Sequence, residues 1–581
     1  MKSETRAQLI ERVMQLPGLT NDERSALLEL LRTKKSYGLV WENKPEAVEV
    51  RLRDELPVLT ELPERRIVSD DPDAPNHILI EGDNLEALTT LAYTHAGKID
   101  VIYIDPPYNT GNKDFAYNDS YVDKEDAYRH SKWLSFISKR LRIAKNLLSD
   151  RGVIFISIDD NEQANLKLLC DEVFGADSFV GTVIWEKTDS PRMDVTGFSV
   201  RHDYILVYKR NDFLLKRLSS DIVPEHYNRT DENGRRYYTK PMRIMGGHIS
   251  ESLFYPLIAP DGTKVYPYDK KGEKSGWRWS MKKIKEEAER VEWVKGKNGW
   301  NPYFRIYADN RREMPVETIW TFETVGSTRT AKNQLNVIMG DSAFSYPKPV
   351  SLIQYILRVA GENNSTILDF FAGSGTTMHA VMALNAEDGG HRQCILVTNN
   401  ENGICENVTY ERNKRVINGY PKPNGEQVEG LHANNLRYYR TAYVPREPSH
   451  PVRKEQARAL TDLLCIKENV YDEKKAFGGL SLAGKEQLIR YFADDARQML
   501  LIYDTRVVPQ VVNEIAKMPD GVNVKIYVFA DGSYPYTADF ESVLNKITLV
   551  AMPYSMNKAL HNVLPVQDDV ELNDKPESEE D

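Results

Sequence analysis

From His77 to Lys209 short apolar runs alternate with amphipathic stretches, and after an interruption the same alternation resumes from Ser351 to Asn400. HILIEG, VIYID, GVIFISID and HDYILVYK read as strands in the first block, TILDFFAG and QCILVTNN in the second. YRHSKWLSFISKRLRIAKNLL, NEQANLKLLCDEVFG, SLIQYILRVAG and TTMHAVMALN carry apolar residues at helical spacing. Strands apolar on both faces, separated by helices, predict an α/β fold with a doubly wound, mainly parallel sheet. From residue 210 to about 335 the pattern dissolves into short, uneven elements rich in Gly, Pro, Tyr, Trp, Lys and Arg. The sheet is therefore expected to be interrupted by an insertion, with Trp277, Trp279, Trp293 and Trp300 available for a small core of its own. MLLIYD, VKIYVFA and ITLVAMP predict a further, small α/β domain near the C-terminal end. Two short helices are expected before residue 45, the second beginning near Asn21.

Taken as a sum, the net charge of −10 over 581 residues disfavours a polyanionic partner, but its distribution reverses that reading. Asp568 to Asp581 holds eight acids and one lysine, and this stretch, low in apolar residues, is expected to be disordered. Between Arg229 and Lys332 there are 21 Lys and Arg against 14 Asp and Glu, so the insertion is locally basic. No apolar run approaches the ~18 residues a membrane span requires, and the N-terminal MKSETRAQLIERVMQL has no signal-peptide core. A cytoplasmic protein without a membrane partner is expected. Cys170, Cys394, Cys405 and Cys465 are too scattered for a zinc knuckle or a redox pair and read as reduced structural thiols; no metal site is expected.

Two stretches carry chemistry. In VIYIDPPYNTGN, the strand stops at Asp105 because Pro106 and Pro107 cannot donate to a ladder. A carboxylate and the ring of Tyr108 are thus held at the carboxyl end of a core strand, where open α/β sheets bind ligands. In LDFFAGSGTT, a strand ends at Asp369 and passes through Phe371, Gly373 and Gly375 into a helix. Glycines allow a tight turn and close approach of a ligand, and the helix start offers unpaired N–H groups. The turn lacks the third glycine of the dinucleotide fingerprint, and no P-loop motif occurs anywhere, so an adenosine ligand without pyrophosphate fits better than a nucleotide.

Taken together, D-P-P-Y and F-x-G-x-G resemble the motifs of DNA amino-methyltransferases that use S-adenosyl-L-methionine. The order, with D-P-P-Y at 105 and the glycine turn at 371, resembles the β group, whose sheet is circularly permuted and whose target-recognition region lies between the motifs. HILIEGDNLEALTTL, RHDYILVYKR, FSYPKPVSLIQYIL and CILVTNNENGICENVTYERNKRVINGY are similar to the modification subunits of type III restriction–modification systems. The resemblance implies a seven-stranded Rossmann-like methyltransferase sheet and six segments: an N-terminal helical segment and linker (1–70), a target-base half (71–210), a recognition insertion (211–335), a cofactor half (336–445), a C-terminal α/β domain that could dock a partner (446–566) and the acidic tail (567–581). It implies that Asp105, Pro106, Pro107 and Tyr108 hold a flipped adenine, and that Asp369, Phe371, Gly373 and Gly375 hold the methionine part of the cofactor. Lys348 resembles a residue that closes over that part, with a solvated lysine between prolines as the alternative. Asp83 resembles an acid near the cofactor's adenine, with a helix cap as the alternative. Glu401 could bind the ribose, although Asn399 and Asn400 stand where an acid is usual. His202 and Asp203 match a family segment beside the pocket but read as an ordinary surface strand end.

The chemistry follows from the amine. The lone pair of adenine N6 is delocalised into the ring, so acceptors such as the Asp105 carboxylate and the Pro106 carbonyl must hold its hydrogens, while Tyr108 stacks on the base. An Asp at the head of the motif is the family tendency for adenine N6, and Ser for cytosine N4. The implied function is site-specific adenine-N6 methylation of double-stranded DNA by base flipping, in a nucleoid-associated homodimer partnered by a helicase–nuclease restriction subunit. A stand-alone methyltransferase and an inactive DNA-binding scaffold are the alternatives, and a neighbouring helicase gene separates the first two.

Overall fold

The computed structural model describes residues 41 and 46–552, apart from 112–114, 118–119, 124, 194, 219–226, 245–249, 270–271, 298, 309–314, 341–343, 446–459 and 530–535. The helices expected before residue 45 and the tail 567–581 lie outside the described residues, residue 41 apart. The chain divides into two compact units, residues 215–316 and the remainder.

The larger unit is built on a ten-stranded sheet. Its strands are β1 (Glu55–Glu61), β2 (Asn76–Glu81), β3 (Ile99–Ile104), β4 (Leu148–Ile158), β5 (Phe179–Glu186), β6 (His202–Lys209), β7 (Ile319–Trp320), β8 (Thr366–Asp369), β9 (Gln393–Thr398) and β10 (Asn435–Pro445). They lie in the order β1-β10-β2-β9-β8-β3-β4-β6-β5-β7. From β10 to β4 every neighbour pair is parallel, whereas β1 on β10, β4 on β6 and β6 on β5 are antiparallel. The helices are α1 (Ala47–Asp54), α2 (Asn84–Thr94), α3 (Arg129–Leu147), α4 (Gln163–Phe174), α5 (Thr328–Met339), α6 (Val350–Ala360), α7 (Thr376–Asp388) and α8 (Glu411–Asn418). The central strands are buried almost throughout, as expected of parallel strands covered on both faces.

The sheet is wider than the expected seven strands. Residues 47–61, read as part of the N-terminal helical segment and linker (1–70), form α1 and β1, with β1 paired to β10 over seven residues. The strand was not legible because Pro57 interrupts a short apolar run, residues 56–59, that is buried on both faces although it lies at the sheet edge. Likewise β7 and α5 belong to the sheet unit, so the insertion ends near Val316 rather than at 335.

The inserted unit carries a four-stranded sheet in which Arg236–Pro241 and Gly299–Tyr307 form the antiparallel centre. Its core is Met242, Tyr255, Leu257, Trp277, Trp279 and Phe304, with Trp293 packed against it. Trp300 instead donates its indole N–H to Asp261 at 2.7 Å.

The C-terminal segment has its own five-stranded sheet, centred on Gln498–Ile502 and Val524–Phe529, with a core on one face. Its other face is continuous with the main core: Met499, Leu501, Tyr527 and Met552 cluster with Tyr93 and with Leu460, Leu463 and Leu464. It is not a separate domain. The four cysteines are all buried and unpaired.

Candidate active site

Four adjacent parallel strands, β2, β9, β8 and β3, bring their carboxyl ends to one edge of the sheet in matched register. Each of these ends runs into one of the acids singled out in the sequence: Asp83 after β2, Glu401 after β9, Asp369 at the end of β8, Asp105 after β3. The two motifs, far apart in the chain, are therefore neighbours because β8 inserts directly beside β3.

At Asp105, one carboxylate oxygen is paired with the ammonium of Lys348, which also reaches the Tyr108 hydroxyl at 3.2 Å. The other oxygen, Oδ1, is buried and has no hydrogen-bond partner among the described residues. A buried unsatisfied acceptor is costly, and it is the group an exocyclic amine would satisfy. Lys348 thus sits on the acid and the ring, with its ammonium 5.2 Å from the centre of the Tyr108 ring. Proline on both sides fixes its backbone. The Pro107 carbonyl accepts the Trp133 indole N–H at 2.7 Å, tying the loop to α3. Asn109 adopts a left-handed backbone, with φ 58°, and donates to the buried Glu162 carboxylate at 2.6 Å.

Asp203 corrects the sequence reading. It is buried, accepts from the Tyr108 hydroxyl at 3.4 Å and pairs with Lys187 at 2.6 Å. The reason is topological. β6 runs antiparallel to β4, so its beginning, not its end, lies at the ligand edge. Periodicity in a sequence reports a strand but not its direction, and no signal except the family segment pointed here. Burial, together with the charges of Asp105 and Asp203, pushes the Tyr108 phenol well above its ordinary range, so it remains a donor.

The glycine turn is shaped from behind. Gly373 and Gly375 have φ of 49° and 72°, and a Cβ at Gly375 would meet the Asn413 amide nitrogen at 2.5 Å. A π-helical turn, Cys405–Tyr410, leads into α8, and three side chains from this junction claim three consecutive turn carbonyls. The Thr409 hydroxyl donates to Gly373 O at 2.6 Å, Arg412 to Ser374 O at 3.2 Å, and the Asn413 amide to Gly375 O at 3.3 Å. Because a peptide group is planar and trans, drawing its carbonyl inward turns the following N–H outward. Gly375 N is used within the turn by Ala372 O; the remaining outward edge suits an acceptor ligand. Arg412 is buried, and its hydrogen-bond partners among the described residues are neutral: Ser374 O, the Ser374 and Thr376 hydroxyls and the His379 ring. Burial lowers its pKa to about 9 and that of His379 to about 3. Sequence reasoning missed Thr409, Arg412 and Asn413, since only the fold brings them under the turn.

Asp369 is buried, accepts from Phe371 N at 3.0 Å and from the Thr377 hydroxyl at 2.5 Å. Burial raises its pKa to about 7 against these two hydrogen bonds. Phe371 packs between Phe370 and Phe136. Asp83 caps α2 by accepting from Leu85 N at 2.7 Å and faces Arg140 at 3.4 Å. Glu401 opens a short 3-10 turn, Glu401–Gly403, on the exposed rim.

Residues 99–417 match the family model described as DNA methylase. The chain belongs to this DNA methylase family. Among curated relatives it is 35% identical to the type III restriction–modification enzyme StyLTI Mod subunit of Salmonella typhimurium, over 56% of this chain and 52% of that one. It is also 35% identical to the EcoPI Mod subunit of Escherichia phage P1, over 64% of this chain and 66% of that one. With the type II methyltransferase M.KpnI of Klebsiella pneumoniae it shares 34% identity over 59% of this chain and 86% of the relative. The chain thus spans about half to two thirds of the length of the Mod subunits it matches. The D-P-P-Y and F-x-G-x-G segments of this chain lie at the ends of neighbouring strands on one edge of the sheet. Among the described residues no helix is long and apolar enough to cross a membrane.

Proposed function

We propose that this DNA methylase transfers a methyl group from S-adenosyl-L-methionine to N6 of an adenine flipped out of double-stranded DNA. The observation that carries the reading is the buried, unsatisfied Asp105 Oδ1 one strand away from the glycine turn. The donor set of that ledge fits the cofactor: a left-handed Gly-Ser-Gly turn with its carbonyls drawn back, and acids at the neighbouring strand ends. Phe371, Gly373 and Gly375 would hold its amino-acid part, Asp83 would lie by its adenine and Glu401 by its ribose. When bound, the cofactor supplies an electrophilic sulfonium methyl. Asp105 Oδ1 and the Pro106 carbonyl accept the two N6 hydrogens, which localises the lone pair. Tyr108 stacks on the base, and Asp203 holds its hydroxyl so that the ring plane is set before the base arrives. Lys348 keeps Asp105 paired, so the acid orients the amine and takes no proton from it before attack. As the N–C bond forms the methyl–sulfur bond breaks to leave a neutral thioether, and the methylated N6 then releases its proton to solvent, so positioning is the main contribution.

Similarity to two Mod subunits supports the modification and recognition subunit of a type III system, with residues 215–316 as the sequence reader and a helicase–nuclease as partner of a homodimer. The match to most of M.KpnI supports a second reading, a methyltransferase acting alone. Incubating the purified chain with unmethylated duplex DNA and cofactor, followed by long-read sequencing, reports base and motif together. N6-methyladenine at one short motif is the expected result; N4-methylcytosine, or no modification, overturns the assignment. Cleavage of the same DNA only after a helicase–nuclease is added separates the two readings.

A further inference from the structure

Between β5 and β6 the chain leaves the sheet at Lys187 and returns at His202, at the same edge as Asp105. The root of this loop is fixed in the wall of the base pocket. Lys187 pairs with Asp203, the acceptor of the Tyr108 hydroxyl, while its N–H bonds Arg201 O at 2.9 Å and its carbonyl accepts from Thr328 N at 2.9 Å. Arg201 pairs with Glu186 at 2.5 Å, and Asp189 with Arg329 at 2.9 Å. Arg192 N donates to the Ser199 hydroxyl at 2.7 Å, which closes a neck and leaves Met193 and residues 195–198 beyond it. The two shoulders of that tip are apolar and almost wholly in water: Met193 is 92% and Phe198 98% exposed, with Val195 and Val200 at 41% and 45%. A single exposed apolar side chain needs no explanation. Four on one short loop, held by a polar neck and rooted beside the ring that would receive the base, point to a partner surface that is flat, apolar and formed at that place.

Extruding a base from a duplex creates such a surface, because the neighbouring base pairs lose a stacking partner. Phenylalanine and methionine are side chains that enter DNA between base steps. We propose that Met193 and Phe198 form a wedge that enters the double helix at the position vacated by the target base, taking over the stacking contacts that the base gives up. This rests on the base-flipping reading above. Arg192, exposed at the neck, lies where it would meet the flanking phosphate.

The test uses the full chain and a duplex carrying the motif read by sequencing, either matched or with the target adenine mispaired so that it is already unstacked. Replacing both shoulders (Met193→Ala with Phe198→Ala) should slow single-turnover methylation of the matched duplex by about tenfold or more, and of the mispaired duplex by no more than about threefold. Fluorescence of 2-aminopurine at the target position should fall with the double variant. Phe198→Leu should retain most of the rate, and cofactor affinity by calorimetry should stay within about twofold of wild type. Equal losses on both duplexes, no loss on either, or a changed oligomeric state without mispair rescue would each overturn the wedge. A wild type that binds cofactor but modifies no duplex brings down the methyl-transfer reading and the wedge together.

Discussion

Two acids at neighbouring strand ends do opposite things because their surroundings differ. Asp105 is paired with Lys348, and its other oxygen has no hydrogen-bond partner among the described residues. Asp105→Ala should abolish methyl transfer, measured with tritiated cofactor, while cofactor affinity changes by less than about threefold, since the turn at 371–375 is untouched. Asp369 has no cation bonded to it among the described residues, and burial raises its carboxyl from 3.8 to about 7. Between those values the folded chain holds a proton that the unfolded chain has released. The stability this group contributes is therefore present below about pH 4 and lost as pH rises to about 7. The Tm difference between wild type and Asp369→Asn should accordingly shift in favour of wild type as pH is lowered from about 8 to about 5. A difference that stays constant across that range would show the acid to be ionised throughout. Asp203→Ala leaves the Tyr108 hydroxyl and the Lys187 ammonium without their shared acceptor, a cost of about 1–3 kcal/mol per buried group. The expected signature is a KM for DNA raised about tenfold, with kcat less affected, because the ring is mispositioned rather than removed.

At the scale of elements, the glycine turn is as much a product of α8 as of the sequence that spells it. Gly375 stands in the left-handed region, and its missing Cβ leaves room for Asn413 and Thr409. Gly375→Ala combines backbone strain of about 1–2 kcal/mol with that collision. It should lower Tm by several degrees and weaken cofactor binding by at least about tenfold, both readable by calorimetry. Arg412→Met removes a donor to Ser374 O and to two hydroxyls at once. It should loosen the turn and reduce cofactor affinity about tenfold with Asp105 and Tyr108 unaffected. An unchanged affinity would mean that the carbonyls hold their direction without α8. The helices and strands around this turn were legible in the sequence, since TILD is a short apolar run stopped before a glycine turn and TTMHAVMALN is apolar and long enough for a buried helix. The π-helical turn that aims Thr409, Arg412 and Asn413 was not, because its polar residues read equally well as a solvated helix face.

For the whole molecule, the C-terminal segment is integral to the catalytic unit. Tyr93 on α2 donates its hydroxyl to Met552 Sδ at 3.2 Å, Lys467 reaches Tyr93 O at 3.1 Å, and Glu61 N bonds Asp462 at 2.9 Å. Leu460, Leu463, Leu464, Met499 and Leu501 share the core of the ten-stranded sheet. At about 1.5–3 kcal/mol for each such side chain re-exposed, a chain ended at Pro445 should aggregate or melt at least about ten degrees lower. Truncation without loss of Tm would show that the shared core contributes nothing to the unit. The sequence by itself determined the local backbone: two prolines end a strand after Asp105, and Gly-Ser-Gly turns tightly after Asp369, wherever those strands go. Only the tertiary structure decided that the two strands are neighbours, that Lys348 sits on the acid, and that an antiparallel β6 delivers Asp203 to Tyr108. Local sterics and hydrogen-bonding capacity are written in a few adjacent residues. Strand order and direction, in contrast, depend on how the whole chain buries its apolar faces, and no short stretch of sequence encodes that.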